Sequence, residues 1–198
     1  ETRKPKIAIF TYDNPFGRAV MEPGERYAKY LGFDWYGTEF TGWVPADSTP
    51  QLLKMRDAKV DFFYSHILAQ TATVVQRDLG KLGLQGKLIP AYFWWGPLEQ
   101  IIAGAGPAAE YAVGISYTAL PVDETAPAIP VLRDFAAKTG KKFSAGYVAG
   151  WRMMTIMSEA YRRTLETVGD DPDKIAGAAL KDALMSLDGF DTRLGPPL

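Results

Sequence analysis

The chain has no cysteine and a single histidine among its 198 residues. The first absence excludes disulfides, thiol nucleophiles and cysteine metal sites, and one histidine leaves a catalytic metal short of its usual ligands. Lack of cysteine fits an oxidising compartment, although many cytosolic proteins share it. An excess of charge of either sign is also missing: 22 Lys and Arg stand against 23 Asp and Glu, for a net charge of −1. There is no basic stripe for nucleic acid and no polybasic segment for an anionic membrane. No apolar run approaches the roughly 18–20 residues of a membrane span. Those near Ile89–Trp95 and Trp151–Met157 are short or interrupted by charge. A methionine start and a signal-type stretch are absent as well, so the chain reads as mature, trimmed or cut from something longer.

What is present is a core-forming composition, 47% hydrophobic and 23% charged, the profile of a folded globular chain. Its most informative stretch is the opening, Lys6-Ile-Ala-Ile-Phe-Thr-Tyr-Asp-Asn14-Pro-Phe-Gly17. A β-branched apolar run gives way to a polar turn, and a helical pattern follows. This is the start of a βα unit, and open parallel sheets bind ligands beyond the carboxyl ends of their strands. Strand patterns fall at Lys6–Thr11, Trp35–Phe40, Val60–Tyr64, Leu88–Ala91 and Ala112–Tyr117. Helical patterns between them cover Gly17–Leu31, Ser48–Asp57, Ala69–Leu82 and Pro97–Ala103. The alternation predicts an α/β fold, a five-stranded parallel sheet flanked by helices. After Val122 helix follows helix: Ala128–Thr139, Gly146–Val168 and Pro172–Leu187, the last with Asp171 as N-cap.

Several positions suggest chemistry. His66 follows the third strand at a cleft position, where an imidazole serves as a hydrogen-bonding wall or a base, but no nucleophile and carboxylate at fixed spacing support catalysis. Tyr92-Phe-Trp-Trp95 follows the fourth strand, and because strand side chains alternate between faces these four rings cannot share one core. One or two are expected to wall a ligand, and the rest to pack under helices. Gly17 permits close backbone approach at the first turn. Helix N-termini near Gly17, Ala69 and Pro97 should converge on the same end of the sheet, offering N–H groups to an anion. Gly104-Ala-Gly-Pro-Ala-Ala109 follows a helix instead of a strand, so it is no dinucleotide fingerprint. Asp170-Asp-Pro-Asp173 lacks the spacing of a calcium loop and reads as a helix cap. Arg152 and Glu159 are expected on a solvated stripe of the long helix, and Met153, Met154, Ile156, Met157 and Tyr161 on an apolar one.

The order of motifs resembles the type I periplasmic solute-binding proteins of ABC importers, within them the branched-chain amino-acid-binding group. The matching pieces are Lys6–Phe10 with Asn14–Gly17, Val60–Tyr64, the Gln70–Leu84 helix ending Lys81-Leu-Gly-Leu84, Val113–Tyr117, Pro130–Phe135 and Gly146–Trp151. The resemblance implies that residues 1–121 form the second (C-terminal) α/β lobe. It implies that residues 122–198 form a crossover and helices packing on a first lobe missing from this sequence. It further implies an extracytoplasmic subunit, periplasmic or extracellular, with or without a lipid anchor. Such a subunit closes by a hinge over a small solute and delivers it to a membrane permease. No cofactor, metal or nucleic acid is expected, and no enzymatic activity. Residues expected to line the ligand are Phe16, Gly17, His66, Leu68, Tyr92, Trp94 and Tyr117. Tyr92 stands where amino-acid binders of the group often carry an acid for the ligand's ammonium, which counts against an ordinary leucine-type ligand and leaves room for an aromatic, amide or carboxylic-acid solute. The solute the resemblance implies is a small apolar or aromatic amino acid or a related carboxylate. Two readings rank below this one: a ligand-sensing regulatory module of the same fold, responding to an amide or amino acid, and an α/β enzyme using His66 with Asp13 or Asp123.

Overall fold

A computed structural model of the protein describes residues 3–93 and 98–195, with residue 98 described by its backbone alone. The chain divides into two compact units, Glu1–Ile115 and Ser116–Leu198. The boundary expected near Pro121 thus lies a few residues earlier. In the sequence the strand pattern runs on to Tyr117, but Thr118 and Ala119 donate to the carbonyl of Leu194 and so belong to the second unit.

The first unit is a five-stranded parallel sheet in the order β2-β1-β3-β4-β5. Its strands are β1 (Lys6–Tyr12), β2 (Asp34–Thr41), β3 (Phe62–His66), β4 (Ile89–Tyr92) and a short β5 (Val113–Gly114). The helices are α1 (Pro15–Arg18), α2 (Met21–Tyr30), α3 (Thr49–Asp57), α4 (Ala69–Lys81) and α5 (Leu98–Ala105). Strand period decides which side chains meet which layer. Ala8, Phe10 and Tyr12 of β1, Phe63 of β3 and Tyr92 of β4 form one buried core with Leu52 and Met55 of α3, Ala72, Val75 and Leu79 of α4, and Ile101 of α5. On the other face Ile9 lies under α2, where a Cβ on Gly24 would come within 2.6 Å of its Cδ1.

The helix expected over Gly17–Leu31 is two helices. Proline lacks an N–H and its ring clashes with the carbonyl four residues earlier. The break between Arg18 and Met21 places Pro23 in the first turn of α2, where a proline is tolerated. Ser48, fully buried ahead of α3, is held by Asp78 of α4: Oδ2 accepts from the Ser48 N–H at 2.7 Å and from its hydroxyl at 3.0 Å, while Lys81 Nζ reaches Oδ1 at 2.9 Å. Burial pushes the Asp78 carboxyl up, but Lys81 and Ser48 outweigh it and hold it below the ordinary value. This clasp binds the start of α3 to α4.

The second unit contains α6 (Ile129–Lys138), α7 (Ala145–Thr167) and α8 (Gly177–Met185), and no strand among its described residues. Its core gathers Ala119, Ala126, Ile129, Leu132, Val148 and Leu194. The helix expected over Pro172–Leu187 is a 3-10 turn, Pro172–Lys174, followed by α8. Asp171 caps that turn as expected, and extended backbone at Ile175 and Ala176 ends it. Arg152 is a correction: expected in solvent, it is buried, and its guanidinium donates to the Tyr117 carbonyl. Glu159 is only partly exposed, its carboxylate held by Arg162 and Arg163. Met153, Met154, Met157 and Tyr161 are exposed along α7.

Candidate functional site

Four of the strand-to-helix connections leave the sheet at its carboxyl edge, and aromatic residues stand on each. Phe16 follows β1, Trp43 follows β2, His66 ends β3 and Phe93 follows β4. Their rings form one row. The centroid of Trp43 lies 5.1 Å from Tyr12, Tyr12 6.4 Å from Phe16, Phe16 4.2 Å from His66, and His66 5.1 Å from Phe93. Tyr64 closes the far end, edge-on to Phe93 at 6.5 Å. Phe16 is 37% exposed and Trp43 60%, while Tyr12 and His66 are buried, so the row is open at Phe16 and Trp43 and closed at the other two.

A chain of hydrogen bonds sets these connections in place. Thr71 donates its only hydroxyl proton to the Trp43 carbonyl at 2.6 Å. The Tyr12 hydroxyl, 2.8 Å from Thr71 Oγ1, is therefore the donor of that pair, and it accepts from the Leu68 N–H at 3.0 Å. Asn14 caps α1 by accepting from the Gly17 N–H at 2.8 Å. Gly17 itself has no room for a side chain: a Cβ would lie 2.0 Å from the Tyr12 carbonyl oxygen and 2.6 Å from Thr11 Oγ1. The glycine lets the first turn of α1 sit on the end of β1, and this carries Phe16 over His66.

His66 is the polar member of the row. Its Nδ1 lies 3.4 Å from the Tyr64 hydroxyl, and its Nε2 has no hydrogen-bond partner among the described residues. Burial lowers the imidazole pKa and raises that of the Tyr64 phenol, so both are neutral at pH 7. Among the described residues of the first unit no carboxylate is bonded to the ring. Asp13 is paired with Arg18, and Asp123 belongs to the second unit, where it closes a turn on Thr125. Among the described residues of the first unit, then, no acid orients His66 for base catalysis.

Of the expected lining residues, Phe16 and His66 come together directly. Gly17 contributes by its absent side chain. Leu68 packs against the core and contributes its N–H. Tyr92 is a correction: it is 1% exposed, under α4, with its hydroxyl donating to Gln76 Oε1 at 3.1 Å. Phe93, one residue on, points to the opposite face and stands beside His66. Trp94 lies outside the described residues. Tyr117 is half-exposed in the second unit. Among the three expected N-termini, α1 is capped by Asn14, α4 has no side-chain cap, and Pro97 lies outside the described residues. Tyr12 and Trp43 were missed. The signal for Trp43 was its place just beyond the second strand pattern, at the same edge as His66.

A family model described as periplasmic binding protein matches residues 1–197. The chain belongs to the periplasmic binding protein family. No curated protein has a sequence that matches this chain. Among solved structures it is similar to a branched-chain amino acid ABC transporter protein from Thermus thermophilus with bound valine. That pair shares 22% identity with a TM-score of 0.79, covering 98% of this chain and 51% of the other. It is also similar to a fatty acid ABC transporter substrate-binding protein from Thermomonospora curvata, at 19% identity and a TM-score of 0.78 over 100% and 50% of the two chains. A leucine-binding protein from Thermotoga maritima follows at 16% identity and 0.71 over 93% and 50%. At these identities the likeness establishes the fold, that of one α/β lobe of the type I periplasmic binding proteins with its parallel five-stranded sheet. The chain spans about half the length of the solved structures it resembles. Among the described residues no helix is long and apolar enough to cross a membrane, and no group of three or more His, Asp or Glu is placed to hold a metal ion.

Proposed function

We propose that the protein is the extracytoplasmic solute-binding component of an ABC importer, and that the aromatic row at the carboxyl edge of its sheet is one wall of the solute cleft. The observation that carries this reading is the convergence of Phe16, His66 and Phe93, from three separate connections, on one surface with ring centroids 4.2 and 5.1 Å apart. The solute is a small apolar or aromatic amino acid or a related carboxylate. Its apolar part lies on the rings, where burial contributes ~25 cal/mol per Å². Its carboxylate is received by uncapped N–H groups such as those opening α4, where the helix dipole also favours an anion.

Such a wall works as half of a clamp. A second lobe closing over it would bury the ~70–90% of ligand surface typical of small-molecule sites and exclude water from the contact. The closed form is then what a membrane permease recognises. The test is a calorimetric titration of the protein as the cell makes it, against residues 1–198 alone, with a panel of small carboxylates. The expected result is binding near ~1 μM, about −8 kcal/mol, for the natural protein and only about millimolar binding for residues 1–198, which offer about half the contact. Micromolar binding by residues 1–198 alone would remove the need for a second lobe. Absence of binding by the natural protein would defeat the reading altogether.

A further inference from the structure

Resting on that solute-binding reading, we propose that the solute is an aromatic acid whose ring lies against Phe16 and His66, and that the Tyr64–His66 pair selects it by presenting one hydrogen-bond donor, His66 Nε2–H, to an oxygen of the ligand.

The first support is the shape and chemistry of the surface. Phe16 and His66 are tilted by 30° and His66 and Phe93 by 38°, while Tyr64 meets Phe93 at 69°. Flat π faces and edges are thus offered together, the arrangement in which an added ring finds offset-stacked and edge contacts. An aliphatic side chain would be buried equally well by such a surface but would gain nothing from its quadrupoles.

The second is charge. A zwitterionic amino acid brings an ammonium that must meet an acceptor when it leaves water. In the first unit Asp13 is engaged by Arg18, Asp47 by the Thr49 N–H, and Asp78 by Ser48 and Lys81. Residues 94–97, Trp-Trp-Gly-Pro, bring no charge. Glu99 stands in the first turn of α5, but the row itself, its rings and the His66 Nε2–H, presents no hydrogen-bond acceptor to an ammonium, so at this wall a carboxylate oxygen fits better.

The third is the tautomer of His66. An imidazole nitrogen is a better acceptor than a phenol oxygen, whose lone pair is shared with its ring. Across the 3.4 Å contact the Tyr64 O–H therefore donates to Nδ1. A neutral imidazole carries one proton, so that proton sits on Nε2, the nitrogen without a partner among the described residues. Tyr64 is thus a positioning residue: it decides which nitrogen carries the proton and holds the ring against Phe16.

The test compares benzoate, cyclohexanecarboxylate and leucine by calorimetry on the natural protein. Benzoate and cyclohexanecarboxylate share size and charge and differ in aromaticity. Benzoate is expected to bind about tenfold more tightly than cyclohexanecarboxylate, the size of two ring–ring contacts. Equal binding of the two would overturn the proposal, as would leucine binding more tightly than benzoate; both leave the solute-binding reading standing. No binding by any small carboxylate overturns both. Independently, a long-range 1H–15N spectrum, with the His66 signals assigned by their loss in His66→Asn, is expected to show a protonated Nε2 and a bare Nδ1. In Tyr64→Phe the two tautomers should mix. A proton on Nδ1 in the unaltered protein would refute the assigned donor.

Discussion

Tyr92 and Phe93 are neighbours in the chain and lie on opposite faces of the sheet: the first is closed in the core with its hydroxyl on Gln76, and the second stands in the aromatic row beside His66. Adjacent rings of the same size therefore have separable tasks, and substitutions should tell them apart. Tyr92→Phe leaves the buried Gln76 Oε1 without its donor and should cost about 1–3 kcal/mol of stability, with ligand affinity unchanged. Phe93→Ala should lower affinity by the ~0.5–1.5 kcal/mol of one ring contact and alter stability less. Urea unfolding and calorimetry on the same two variants check this. Loss of affinity in Tyr92→Phe alone would place the wrong ring in the wall.

Gly17 marks where the first turn touches the end of β1. A Cβ 2.0 Å from the Tyr12 carbonyl oxygen cannot be absorbed by a side-chain rotation, because the obstacle is backbone. Gly17→Ala should therefore lift α1 and destabilise the fold by about 1–3 kcal/mol, the range of overpacking. Phe16 would move with α1, so affinity should fall as well. A thermal midpoint equal to that of the unaltered protein would mean that the turn yields freely.

Acid should weaken the fold in two steps. His66 is buried neutral and its pKa is lowered from 6.5. Between that folded value and 6.5 the unfolded chain binds the extra proton, so stability falls as pH drops through this window and is unaffected above it. Asp78 is also lowered, from 3.8, by Lys81 and Ser48 acting against its burial. Its contribution is present above 3.8 and disappears as pH falls through its folded value. Urea midpoints recorded from pH 8 to pH 3 should show the first step vanish in His66→Asn and the second shrink in Asp78→Asn. A first step that persists in His66→Asn would assign it to another group.

Much of this protein was determined by local sequence. The apolar runs of β1, β3 and β4, the 3.6-residue periodicity of α4 and α7, and the cap at Asp171 all depend on residues close together in the chain, so periodicity and turn chemistry suffice to read them. The carboxyl-edge location of the connections that carry the aromatic row follows as well, because a βα alternation leaves them there. Tertiary structure decided what depends on contacts between distant residues. Which of Tyr92 and Phe93 stands beside His66 was set by register against β3, since a shift of one residue exchanges the faces. The end of β5 and the burial of Arg152 were set by pairing with Leu194 and Tyr117. Trp43 joined the row through Thr71, 28 residues away, a relation that no local pattern encodes.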